Sequence, residues 1–137
     1  MHNANKQNAK WADRRESPPA RKKVLLIEDN RDFREAMTVA LVSEGFEVIT
    51  AADGEDGLNR ARAENPDVVV TDLNIPGIDG LKLIQILKNE VGRKNPPVIA
   101  ITAHGEFYAK LALMSGATSS FTKPVVLDRL IEDIKAL

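Results

Sequence analysis

Four short apolar runs each give way to a polar residue that could do chemistry. Val24-Leu25-Leu26-Ile27 is followed by Glu28-Asp29, and Val68-Val69-Val70 by Thr71-Asp72. Val98-Ile99-Ala100-Ile101 is followed by Thr102, and a weaker stretch around Phe121 by Lys123. If these runs are parallel strands of one open sheet, their carboxyl ends share an edge, and ligands of such sheets bind in the crevice outside it. Three acids, one hydroxyl and one ammonium would then face a single place. Clustered carboxylates repel one another and demand a cation. Oxygen-only donors suit magnesium or manganese, with calcium a poorer match to so small a cage. An anion beside that cation would need the donors that Thr102 and Lys123 supply. A tetrahedral phosphoryl group fits such a pocket, since its transfer needs little beyond positioning and charge neutralisation. A carboxylate can be the nucleophile, and Asp72, on the strand expected between the others, is the natural acceptor.

The composition of the 137-residue chain narrows the alternatives. The length fits one domain able to bury its own core. There are no cysteines, so disulfides, thiol catalysis and cysteine-zinc sites are excluded. His2 and His104 are the only histidines, too few for a histidine-built metal centre. No apolar run is long enough to span a bilayer and the N-terminus lacks the apolar core of a signal peptide, so a cytoplasmic protein without membrane contact is expected. The net charge of −1 conceals an asymmetry: residues 1–23 carry seven Lys or Arg against two acids, and residues 24–137 twelve against eighteen. An acidic body argues against direct nucleic-acid binding. Residues 1–21, which hold Trp11 and end near Ser17-Pro18-Pro19, have no apolar period and are expected to be a flexible basic extension. The folded domain is expected over residues 22–137.

The strands that would position the site alternate with helical patterns. The apolar runs are continuous rather than alternating, as in strands covered on both faces; Phe46-Glu47-Val48-Ile49 supplies a further one. Phe33, Met37, Ala40 and Leu41 mark a first helix, with the acids Glu28 and Asp29 placed to cap it. Asp53 is placed to cap a second carrying Leu58 and Ala61, which Asn65-Pro66 ends. Leu83, Ile84, Leu87 and Val91 mark a third helix. Phe107, Leu111 and Met114 mark a fourth, closed by Gly116, and Leu127, Leu130, Ile131 and Ile134 a fifth. Strand then helix, five times over, implies a doubly wound α/β sheet with right-handed crossovers.

With these segments in order, the sequence resembles the receiver domains of two-component response regulators. The resemblance is carried by Leu25-Leu26-Ile27-Glu28-Asp29-Asn30, by Asp72-Leu73-Asn74-Ile75-Pro76-Gly77-Ile78-Asp79-Gly80, by Ile101-Thr102-Ala103 and by Thr122-Lys123-Pro124. It implies a flavodoxin-like (βα)5 fold with strand order 2-1-3-4-5. It further implies that Asp72 is the phosphoacceptor and that magnesium is held by Asp29 and Asp72, by Glu28 through water and by the backbone carbonyl of Asn74. Thr102 and Lys123 would bind phosphoryl oxygens, and the Lys123-Pro124 bond would be cis. The donor would be a phosphohistidine on a histidine kinase or histidine phosphotransfer protein. The output would be a surface on helix four, strand five and helix five that engages a downstream protein or forms a homodimer on activation. As no output domain follows Leu137 here, a single-domain regulator or phosphorelay intermediate is expected.

Three positions modulate this expectation. Asn74 and His104, each two residues beyond a site residue, would flank the phosphoryl group and tune attack by water. Ser120 stands three residues before the lysine, where the family usually has an aromatic ring that turns inward on phosphorylation. Phe121 follows, but strand alternation sends it to the opposite face. Signal would then leave through the backbone near Thr102 and through helix four. Ser120 is also the one support for an alternative, a phosphorylation-independent interaction module. An enzyme acting on small phosphomonoesters is a third reading; it would need an acid where Asn74 stands.

Overall fold

The computed structural model describes residues 21–90 and 95–137. The basic extension with Trp11 falls outside them apart from Arg21, as does Val91 of the third helical pattern. Five strands, β1 (Lys23–Ile27), β2 (Glu47–Ala51), β3 (Val68–Asp72), β4 (Val98–Thr102) and β5 (Ser119–Thr122), form one sheet. Its order is β2-β1-β3-β4-β5 and every pairing is parallel. The helices are α1 (Arg31–Ser43), α2 (Gly54–Glu64), α3 (Gly80–Asn89), α4 (Gly105–Met114) and α5 (Leu127–Ala136). The expected doubly wound architecture is the one observed.

Alternation along each strand divides the core in two. Leu25, Ile27, Val69, Val98 and Ala100 pack beneath α2, α3 and α4 with Leu58, Leu83, Ile84 and Ala112. Val24, Leu26, Val68, Val70, Ile99 and Ile101 pack beneath α1 and α5 with Met37, Leu41, Leu130 and Ile134. Both faces of β3 and β4 are covered, so all their residues are buried, which explains their unbroken apolar runs. β2 is an edge strand with an exposed Glu47 and half-buried middle; it begins one residue later than the pattern suggests, and Phe46 is buried just ahead of it.

Two helix starts depart from, or sharpen, the sequence pattern. Asn30, not an acid, caps α1: its side-chain oxygen accepts from the Phe33 amide at 2.9 Å, which leaves Glu28 and Asp29 unspent. Asp53 caps α2 as expected, accepting from the Asp56 amide at 2.8 Å, and Asn65 ends that helix in a left-handed conformation. α4 is a correction. Phe107 and Met114 are 70% and 82% exposed, while Ala112 is wholly buried. The helix turns its small residues to the sheet because α4 lies close over β4 and β5, where a large side chain would hold it away.

The loop after β3 returns tightly. Gly77 has φ +87°, and Asp79 caps α3 by accepting from the Leu81 amide at 2.9 Å. A Cβ at Gly80 would stand 2.6 Å from the Leu73 backbone. Neither the strand end nor the helix start can yield without moving the site. Gly80→Ala is therefore expected to cost about 1–3 kcal/mol of stability, read by urea denaturation; an unchanged midpoint would show that the loop relaxes freely.

Candidate functional site

Parallel register brings the polar residues to one edge. Ile27 lies beside Thr71, Asp72 beside Ile101, and Thr102 beside Thr122, so the residues at or just after these ends converge. One carboxylate oxygen from each of Glu28, Asp29 and Asp72 falls within a set spanning no more than 4.8 Å. Glu28 and Asp72 are buried and Asp29 is exposed. The Lys123 ammonium donates to Asp72 Oδ2 at 2.5 Å and to Glu28 Oε1 at 3.3 Å. The Lys123-Pro124 bond is cis.

The other carboxylate oxygens of Glu28 and Asp72 are held by backbone amides. Asn30 N donates to Glu28 Oε2 at 3.0 Å, and Asn74 N donates to Asp72 Oδ1 at 2.8 Å. Thr102, completely buried, accepts from His104 N at 3.0 Å through its hydroxyl oxygen, which leaves the hydroxyl hydrogen free to donate. The His104 and Tyr108 rings lie 5.5 Å apart, and with Leu73, Asn74, Ile75 and Asp79 they line a cleft of about 220 Å³ beside the acids. Ser120 sits in register with Ala100 on the α4 side, and Phe121 beside Ile101 packs toward α1 and α5.

Two side chains to which the sequence pattern assigned no role at the site support the set. Arg34 donates to the carbonyl of Glu28 at 2.7 Å and to that of Asp29 at 3.4 Å, pinning the acid loop to α1. The face of the Phe33 ring lies 4.7 Å from the Lys123 ammonium. Both leave the first turn of α1 next to the acids, and that adjacency was the available signal.

Three carboxylates and one ammonium in so small a space leave negative charge uncompensated. An all-oxygen donor set of this kind fits a hard divalent cation. Burial, opposed by the Asn30 amide and reinforced by the neighbouring Asp72 charge, pushes the Glu28 carboxyl up to about 7. Burial pulls Lys123 down, but the hydrogen bond and charge of Asp72, joined by Glu28, outweigh it and hold the ammonium above its ordinary range.

A family model described as the response regulator receiver domain matches residues 24–135. This chain belongs to that family. The receiver domain here is 32% identical over 117 residues to the phosphate regulon transcriptional regulatory protein PhoB of Klebsiella pneumoniae, covering 85% of this chain and 51% of PhoB. It is 37% identical over 115 residues to the transcriptional regulatory protein AfsQ1 of Streptomyces coelicolor, covering 81% of this chain and 50% of AfsQ1. The chain thus spans about half the length of these curated relatives. Among solved structures, the receiver domain of the Francisella response regulator 1452 superposes with a TM-score of 0.78 at 29% identity, covering 84% of this chain and 94% of that one. The chemotaxis response regulator CheY4 of Vibrio cholerae superposes with a TM-score of 0.77 at 26% identity, covering 85% and 98%. Receiver domains are signalling modules of two-component systems. Among the described residues no helix is long and apolar enough to cross a membrane.

The raised Glu28 pKa gives a signed expectation for the metal-free protein. The folded value of about 7 exceeds the ordinary 4.5, so between these pH values the folded state keeps a proton that the unfolded state has released. This group therefore favours folding at low pH, and that advantage is lost as pH rises through about 7. Thermal melting in chelator should show wild type losing stability from pH 5.5 to 8 relative to Glu28→Gln. Parallel pH profiles for the two proteins would refute a raised Glu28.

Proposed function

We propose that the chain is a phosphoacceptor switch in which Asp72 takes a phosphoryl group from a phosphohistidine on a histidine kinase or histidine phosphotransfer protein. The observation that carries this is the convergence of Glu28, Asp29, Asp72, Thr102 and Lys123 at one sheet edge, with the ammonium 2.5 Å from the Asp72 carboxylate. A carboxylate oxygen of Asp72 attacks phosphorus, the new O–P bond forms as the N–P bond of the donor breaks, and the imidazole leaves with its electron pair. Asn74 N holds the other acceptor oxygen in place. Thr102 donates its hydroxyl hydrogen to a phosphoryl oxygen, and Lys123 transfers its ammonium from the carboxylate to the phosphoryl group. Asp29 and Asp72, with Glu28 through water and the Asn74 carbonyl, would hold magnesium or manganese. When bound, that cation neutralises charge on the acceptor and the transferring group.

The added charge biases a surface on α4, β5 and α5 that engages a downstream protein or a second copy. Small-molecule turnover is not part of this reading: Asn74 stands where a second acid would be needed. Direct nucleic-acid contact is not part of it either, because residues 24–137 carry twelve basic against eighteen acidic side chains.

Intact mass after incubation with Mg²⁺ and acetyl phosphate tests the acceptor. Wild type should gain one phosphoryl group, and Asp72→Ala or chelated wild type none. A wild type that binds Mg²⁺ yet gains nothing from acetyl phosphate or from phosphohistidine donors would favour the phosphorylation-independent module. His104 flanks the site from the Thr102 loop and screens the phosphoryl group from water. His104→Ala should change the rate of phosphate loss several-fold, followed by mass over time, whereas an unchanged rate would end that role.

A further inference from the structure

The Lys123 ammonium has three neighbours. Asp72 and Glu28 are anions of the site itself, at 2.5 and 3.3 Å. The third is the neutral ring of Phe33, whose centroid lies 4.7 Å from the nitrogen. Lys123 keeps only 27% of its side chain exposed, so the negative face of the ring acts on a partly desolvated cation, where it counts for more than in water.

The ring is fixed from both sides. Its backbone amide is the one that Asn30 caps, at 2.9 Å, which sets the first turn of α1. Its side chain packs against the core beneath α1 and α5, where it lines an apolar cleft with Met37 and Val125. The loop that aims Glu28 and Asp29 into the pocket therefore also sets a ring against the ammonium. A leucine there would offer no negative face.

Lys123 must change partners during the reaction proposed above. Once Asp72 carries a phosphoryl group, the oxygen bonded to phosphorus loses the charge that held the ammonium. The attraction of the ring does not depend on that charge. We propose that Phe33 is a positioning residue for Lys123, holding the ammonium at the mouth of the pocket by a cation–π contact through the transfer. This inference rests on Asp72 being the acceptor.

The test replaces Phe33 with phenylalanines carrying one, two and three ring fluorines, which weaken the negative face in steps while keeping the shape, and adds Phe33→Tyr and Phe33→Leu. Phosphorylation by acetyl phosphate in Mg²⁺ should slow in step with fluorination, by about two- to five-fold across the series. Phe33→Leu should be as slow as the trifluoro protein, Phe33→Tyr should keep the wild-type rate, and melting temperatures should stay level across the fluorinated series. Without any phosphodonor, the Lys123 side-chain proton resonances should carry a ring-current shift that Phe33→Leu abolishes. A rate that ignores fluorination in a protein whose wild type is phosphorylated, or an absent ring-current shift, would overturn the inference and leave the acceptor reading intact. A wild type that takes no phosphoryl group would overturn both.

Discussion

The confinement of three carboxylates within a few ångströms is the constraint on which the rest depends. Two unit charges about 4 Å apart repel by roughly 4 kcal/mol at the effective dielectric of a protein near its surface, and here two of the three acids are buried. The fold answers in three ways. Backbone amides of Asn30 and Asn74 each take one carboxylate oxygen. Lys123 reaches in from β5 to pair with both buried acids. Glu28 retains a proton more readily than an ordinary glutamate. The compensation is incomplete, and an incompletely neutralised oxygen cage is what makes such a site receptive to a divalent cation and then to an anion beside it.

The sheet is built to hold that tension still. β1, β3 and β4 carry almost nothing but buried apolar side chains, so repulsion at their ends cannot be relieved by sliding or splaying a strand without opening one of the two cores. Tight loops add to this. Arg34 ties the acid loop back to α1 through two carbonyls, and Gly80 permits α3 to start against the Leu73 backbone.

Most of this architecture is legible in the sequence because strand ends are marked by an abrupt change from β-branched residues to acids, threonine or lysine. Glu28, Asp29, Asp72, Thr102 and Lys123 all lie where that rule places them. Sequence reasoning does less well where chemistry depends on one turn of backbone. Asn30 rather than an acid caps α1, and that choice orients Phe33 and Arg34, whose place beside the acids their type and spacing do not reveal. The buried face of α4 is hidden in the sequence for a different reason. Phe107, Leu111 and Met114 satisfy a helical period as well as Ala109 and Ala112 do, and only the closeness of α4 to β4 and β5 selects the small face.

That small face bears on how a change at Asp72 can travel. Ser120 and Ala100 lie side by side on the α4 face of the sheet, and Ala112 of the helix shares a core cluster with Ala100, so these positions carry small side chains and no ring. Phe121 is committed to the other face. Thr102 links the neighbouring elements: Lys123 N donates to its carbonyl at 2.8 Å, and His104 N, at the start of α4, donates to its hydroxyl oxygen at 3.0 Å. His104 immediately precedes the first turn of α4, and its ring lies 5.5 Å from that of Tyr108 one turn on, tilted by 49°. Any movement of the Thr102 hydroxyl oxygen would alter its bond to His104 N, and that amide lies at the start of the helix. The end of β4 is thus tied to the first turn of α4, where the exposed Phe107 and Tyr108 side chains stand.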